Sequence, residues 1–256
     1  MTARDLLLHA WTWRPLLLGI LSTVCVLHFT RMRLSHPWRT LALLAAVAAV
    51  VVALVSPIDA LARGTLFSAH MLQHMLLALV APPLLLLALP TARGAAAARG
   101  KPAALSWAMG VGAMWIWHAP ALCNAAATSD AVRAFQNVSL VAMGIAFWLP
   151  ILGPHVDRRL SDMAAVAYLF TACVACTILG ISIALSPVEV CSAYGHASDP
   201  LGALPLVQGA WRLTPKVDQQ LGGLLMWVPG CTVYAGAILG VVARFYGAPH
   251  AKVQEA

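Results

Sequence analysis

Two histidines four residues apart, His70 and His74, lie in the apolar stretch Phe67-Ser68-Ala69-His70-Met71-Leu72-Gln73-His74-Met75. On a helix this spacing puts both imidazoles on one face, one turn apart, where they can hold a single ion. Met71 and Met75 repeat the spacing about 100° further round, and their thioethers are soft ligands suited to cuprous copper. His118 follows two tryptophans in Trp115-Ile116-Trp117-His118-Ala119-Pro120, while Asp218 and Met226 belong to Asp218-Gln219-Gln220-Leu221-Gly222-Gly223-Leu224-Leu225-Met226-Trp227. Asp59 closes the turn Ser56-Pro57-Ile58-Asp59. The candidate metal set is therefore His70, His74 and His118, with Met71, Met75 and Met226 as soft auxiliaries and Asp218 or Asp59 as acceptors that orient an imidazole. A lone polar side chain in an apolar helix often just bonds a neighbouring helix, and methionines more often pack than ligate. Two desolvated imidazoles on one face are costlier to leave unused.

The elements that position these groups are apolar helices. The 256 residues are 61% hydrophobic and 10% charged, against about 25% charged in a soluble domain. Windows of about 20 residues give seven spans, near Trp11–Thr30, Thr40–Val55, Leu66–Leu89, Ala103–Ala119, Val132–Leu152, Asp162–Ser186 and Gln219–Arg244. The fold class expected is all-α, a single polytopic membrane helical bundle spanning 1–256. Pro82 and Pro83 should kink the third span or end it early, because two backbone donors are missing. Gly222 and Gly223 should let the seventh helix approach a neighbour closely and so position Asp218 and Met226.

Orientation follows from the basic residues. With the N-terminus outside, ten of the 16 fall inside (Arg31, Arg33, Arg39, Arg93, Arg99, Lys101, Arg158, Arg159, Arg244, Lys252) and six outside (Arg4, Arg14, Arg63, Arg133, Arg212, Lys216). That excess favours N-out, C-in, although Arg14 ahead of the first span pulls the other way. The three histidines, Asp59 and Asp218 then share the outer end of the bundle. The net charge of +7 serves topology and anionic membrane lipid rather than nucleic acid. Of the six cysteines, Cys123 and Cys191 fall in outer loops where a disulfide can form. Cys173 and Cys176 share a helix face, weakly compatible with metal but read as small-residue packing.

The Ser56-Pro57-x-Asp59 turn, the His70-to-Met75 stretch running into Ala81-Pro82-Pro83, Trp117-His118-x-Pro120, Phe147-Trp148-x-Pro150 and the Asp218-to-Trp227 segment occur in this order over most of the chain. Together they resemble the CtaG family of cytochrome c oxidase assembly factors associated with caa-type oxidases. The resemblance implies a multi-pass protein of the bacterial inner membrane that matures a haem-copper oxidase by helping copper reach it. Its partners would be oxidase subunits and a periplasmic copper donor. One departure is Phe135-Gln136-Asn137, where the family often carries histidine. The segment from Glu189 to Lys216 matches nothing in that pattern.

No GxSxG elbow, Walker loop, HExxH or dinucleotide fingerprint is present, so the chain does not read as an enzyme. Two alternatives stay open. One is a haem-binding electron carrier, which needs axial histidines from two helices across a flat cavity. The other is a metal-free scaffold of the oxidase.

Overall fold

The computed structural model of the chain describes residues 2–31, 36–92, 103–196 and 199–247. Its long helices are α1 (Pro15–Arg31), α2 (Pro37–Leu54), α3 (Phe67–Ala88), α4 (Ala103–Trp117), α5 (Asp130–Leu152), α6 (Asp162–Leu185) and α7 (Pro215–Gly247). Short helices at Ala3–His9, Pro57–Ala62 and Pro120–Thr128 link or precede them. Among the described residues five helices, α2, α3, α5, α6 and α7, are long and apolar enough to cross a membrane, and α1 and α4 are shorter apolar helices. With 15 residues, α4 reaches about 22 Å, short of a hydrocarbon layer of about 30 Å. Arg33, Arg93, Arg99, Lys101 and Lys252, which carry much of the orientation argument, lie outside the described residues, as does the side chain of Arg31.

The bundle turns apolar side chains outward as well as inward. Leu16, Leu41, Phe170 and Leu239 are all exposed, an arrangement that suits lipid and not water. This is an all-α membrane helical bundle. Its polar residues gather inside one end, where Asp59, His70, Gln73, His74, His118, Gln136 and Asp218 are all buried.

Two backbone features set that end. The paired prolines do not stop α3. The ladder widens to π-winding over Met75–Val80 and returns to α at Ala81. Pro82 and Pro83 have no N–H to give back to the preceding turn, so the carbonyls there lose their ordinary donors and the helix accommodates locally. Gly144 on α5 passes this stretch so closely that an added Cβ would lie 2.5 Å from the Ala78 carbonyl oxygen. The second feature is the contact of α6 with α7, the most extensive in the bundle. A Cβ on Gly223 would meet the Ala184 nitrogen at 2.6 Å and the Gly180 oxygen at 2.7 Å, so small residues here permit backbone-to-backbone approach.

Candidate metal centre at one end of the bundle

The histidine helix α3 is held at its start by another helix. Its N-cap residue, Leu66, has no side chain to offer the exposed backbone donors. Asp218, from the first turn of α7, takes their place: Phe67 N–H donates to Oδ2 at 2.6 Å and Ser68 N–H to Oδ1 at 3.0 Å. A carboxylate there also suits the positive end of the helix dipole. The next residue, Gln219, accepts from the Val190 N–H at 2.9 Å and donates to the Val188 carbonyl at 3.1 Å, tying down the turn after α6. A Cβ on Gly222 would lie 2.5 Å from the Phe67 ring and 3.0 Å from Met71 Cγ. The glycine therefore lets α7 lie directly against the face that carries Met71.

From this anchored helix the imidazoles meet. The His70 and His74 ring centroids are 4.4 Å apart, and His74 and His118 are 5.1 Å apart with their planes nearly perpendicular. All three are buried, at 1%, 0% and 5% exposure. His118 Nδ1 lies 2.5 Å from the Met114 carbonyl oxygen. Since a carbonyl only accepts, Nδ1 carries the proton, which leaves a bare lone pair on Nε2. That Nε2 faces Met71 Sδ at 3.1 Å, so two electron-pair donors oppose each other with no proton of their own between them. None of the four ring nitrogens of His70 and His74 has a hydrogen-bond partner. The Gln136 amide lies beside His74, yet its own oxygen and nitrogen also find no partner in hydrogen-bond geometry.

Over residues 21–248 the sequence matches the family of cytochrome c oxidase caa3 assembly factors. The chain belongs to that family. No curated protein and no solved structure matches it.

In this assembly-factor chain the eight sequence-derived candidates divide into groups. His70, His74, His118 and Met71 form one contact cluster. Met75 and Met226 share the buried core with Met71, and the Met75 methyl carbon lies 3.3 Å from where a Cβ on Gly230 would sit. Both oxygens of Asp218 are engaged in capping α3. Asp59 belongs to a separate network: Arg14 reaches both its oxygens at 2.8 and 3.0 Å, Arg63 donates at 2.9 Å, Thr12 at 2.8 Å and Gln73 at 3.0 Å. Burial pushes the Asp59 carboxyl up, and the two guanidinia outweigh it, leaving the group below its ordinary value of 3.8. Arg63 and Arg133 both pair with Asp130, which carries the network to α5.

Among the described residues no three His, Cys, Asp or Glu side chains converge as metal ligands. The family's chain instead assembles an imidazole pair and a mixed imidazole and thioether pair side by side. Sequence reasoning missed Tyr194, whose ring lies 5.7 Å from that of His70 and whose hydroxyl donates to the Ala62 carbonyl at 2.8 Å. Tyr194 is brought over the histidines by a disulfide joining Cys123 and Cys191. Within the segment that matched no pattern, Tyr194 is thus a cover on His70. Its only sequence signal was the cysteine three residues before the tyrosine.

Proposed function

We propose that the chain holds a cuprous ion reversibly at this end of the bundle and passes it to the copper centre of a haem-copper oxidase during assembly. The observation that carries the reading is the set of four unpartnered, buried nitrogens on His70 and His74 beside the His118 lone pair that faces Met71 sulfur. Buried polar groups without partners cost about 1–3 kcal/mol each. Copper bound by imidazole and thioether would satisfy them, and a ligand set that is not fully converged suits release as well as capture. Met75 and Met226, in the same core as Met71, are the auxiliary soft ligands. On this reading copper is cargo and the protein performs no reaction of its own.

The membrane is the bacterial inner membrane, crossed by the five long helices together with the shorter α1 and α4, with the N-terminus outside. The disulfide between Cys123 and Cys191 supports this orientation, because it lies at the histidine end and disulfides persist on the oxidising side. A periplasmic copper donor and the oxidase subunits are then the partners on that face. Copper is preferred to the haem alternative because His70 and His74 stand on neighbouring turns of one helix, which cannot supply opposite axial ligands.

The test is the double variant His70→Ala, His74→Ala, purified in mild detergent and assayed for bound copper. The expected result is loss of at least tenfold in copper affinity, together with copper-deficient oxidase in cells carrying the variant. Unchanged copper stoichiometry rejects the site. A defect that follows helix-packing variants at Gly223 but not the histidine variants identifies a scaffold instead.

A further inference from the structure

We propose that Cys173 and Cys231 form a second soft-metal site, a two-thiol clamp for a monovalent ion of the cuprous class inside the membrane. The two cysteines come from α6 and α7, and their sulfurs lie 3.4 Å apart. In the 24-residue α6, Cys173 is eleven residues from the start, about 17 Å along, so the pair sits near mid-bundle. The Thr177 hydroxyl is 3.1 Å from Cys231 Sγ. A third thiol, Cys176, is 3.6 Å from the Tyr234 hydroxyl one turn away. The glycine contact of Gly180 with Gly223 brings the two helices close enough for the sulfurs to meet.

The ligand count selects the ion. Thiolates favour cuprous copper and zinc, but zinc takes four ligands, and no group of three His, Cys, Asp or Glu completes such a site among the described residues. Two opposed sulfurs suit a monovalent d10 ion that accepts two-coordination. Binding releases one proton to solvent: Cys231 gives up its S–H proton and coordinates as thiolate, the Thr177 hydroxyl donates to that sulfur, and Cys173 coordinates as the thiol. One positive ion and one negative sulfur give a neutral complex, the form that burial penalises least. Met75 lies against Gly230, next in sequence to Cys231. The clamp is independent of the histidine site and shares with it only the class of ion.

The full-length protein is loaded with copper(I) under reductant in detergent, freed of excess metal, and measured for copper per chain and for sulfur scattering at the copper edge. In the His70→Ala, His74→Ala background one sulfur-ligated copper is expected to remain. Adding Cys173→Ser, Cys231→Ser should remove it, and the Cys173→Ala, Cys231→Ala pair, which keeps the contact apolar, repeats the test if the serine protein does not elute monodisperse. A histidine variant that binds no copper overturns the clamp while leaving the histidine site standing. Copper retained in the combined variant with its sulfur signal intact also overturns it. Full retention in the histidine variant, abolished by the cysteine changes, leaves the clamp as the binding site and rejects the histidines.

Discussion

Asp59 and the His70–His74 pair are buried to nearly the same extent inside the same end of the bundle, and the protein treats them in opposite ways. Around Asp59 every approach is filled: two arginines, a threonine and a glutamine all donate to its two oxygens. Around the histidines four ring nitrogens have no partner, although Gln73, one residue before His74, spends its amide on Asp59 and on the Ala53 carbonyl at 2.6 Å. Buried polar groups in folded proteins are overwhelmingly satisfied, and the exceptions concentrate where a ligand or reaction uses them. On the proposed copper reading the carboxylate serves the fold and the imidazoles serve the ion.

Removing the Asp59 charge is the strongest way to test that division. Asp59→Asn leaves Arg14 and Arg63 facing each other across a neutral amide, and losing one partner of a buried ionic network costs about 3 to 4 kcal/mol. The expected outcome is a large fall in melting temperature in detergent, with copper binding lost only where the protein unfolds. The same carboxylate sets a pH dependence. Its folded value is depressed below 3.8, so its contribution is complete above about pH 4 and disappears as pH falls through the folded value. Asp59→Asn should flatten the acid limb of the stability profile, and an unchanged acid limb would assign that loss to another group.

Gly223 falls on the structural side of the contrast. Gly223→Ala drives a methyl into the α6 backbone at Ala184 and Gly180, and overpacking of this kind should cost about 2 to 3 kcal/mol. Thermal melts monitored by circular dichroism check the size. Next comes the Cys123–Cys191 bridge. Reduction, or Cys123→Ser with Cys191→Ser, should cost about 2 kcal/mol, the low end for a long loop, because helices held in a membrane already confine the two ends. Hydrogen exchange at Tyr194 and its neighbours should rise in the same variant, since the bridge holds the cover over His70.

The sequence reveals more of this division than of its geometry. Apolar windows locate the helices within a few residues because lipid demands long uninterrupted runs, and α2, α3, α5 and α6 begin and end close to those windows. The i,i+4 spacing of His70 and His74 also translates directly, since local helix geometry fixes it. Pairings between distant residues are not written in any local pattern. Asp218 reads as a metal-site carboxylate, and only the fold shows it capping a helix some 150 positions away. Arg14, which argues against the N-out orientation by position alone, is instead occupied with Asp59. Cys173 reads as packing beside Cys176 because Cys231, its actual neighbour, lies 58 residues on. The π-winding of α3 is partly legible, in that Pro82 and Pro83 announce a disturbance while leaving open whether the helix breaks or widens.

The smallest expected effect decides the comparison. Replacing His70 and His74 together with leucine removes four unpartnered nitrogens and keeps comparable apolar volume, and such exchanges are nearly neutral or stabilising when the polar groups had nothing to bond. The melting transition without copper should therefore move by less than about 1 kcal/mol, in either direction, while the copper held by the imidazoles is lost. The variant should also lose the part of the rise in melting temperature that imidazole-bound copper gives the unaltered protein, because a ligand stabilises only the state that binds it. Calorimetry with and without copper(I) measures both quantities in one experiment. A destabilisation as large as that of Asp59→Asn would mean that the imidazoles hold the bundle together, and the distinction between a satisfied frame and a reserved site would fail at its centre.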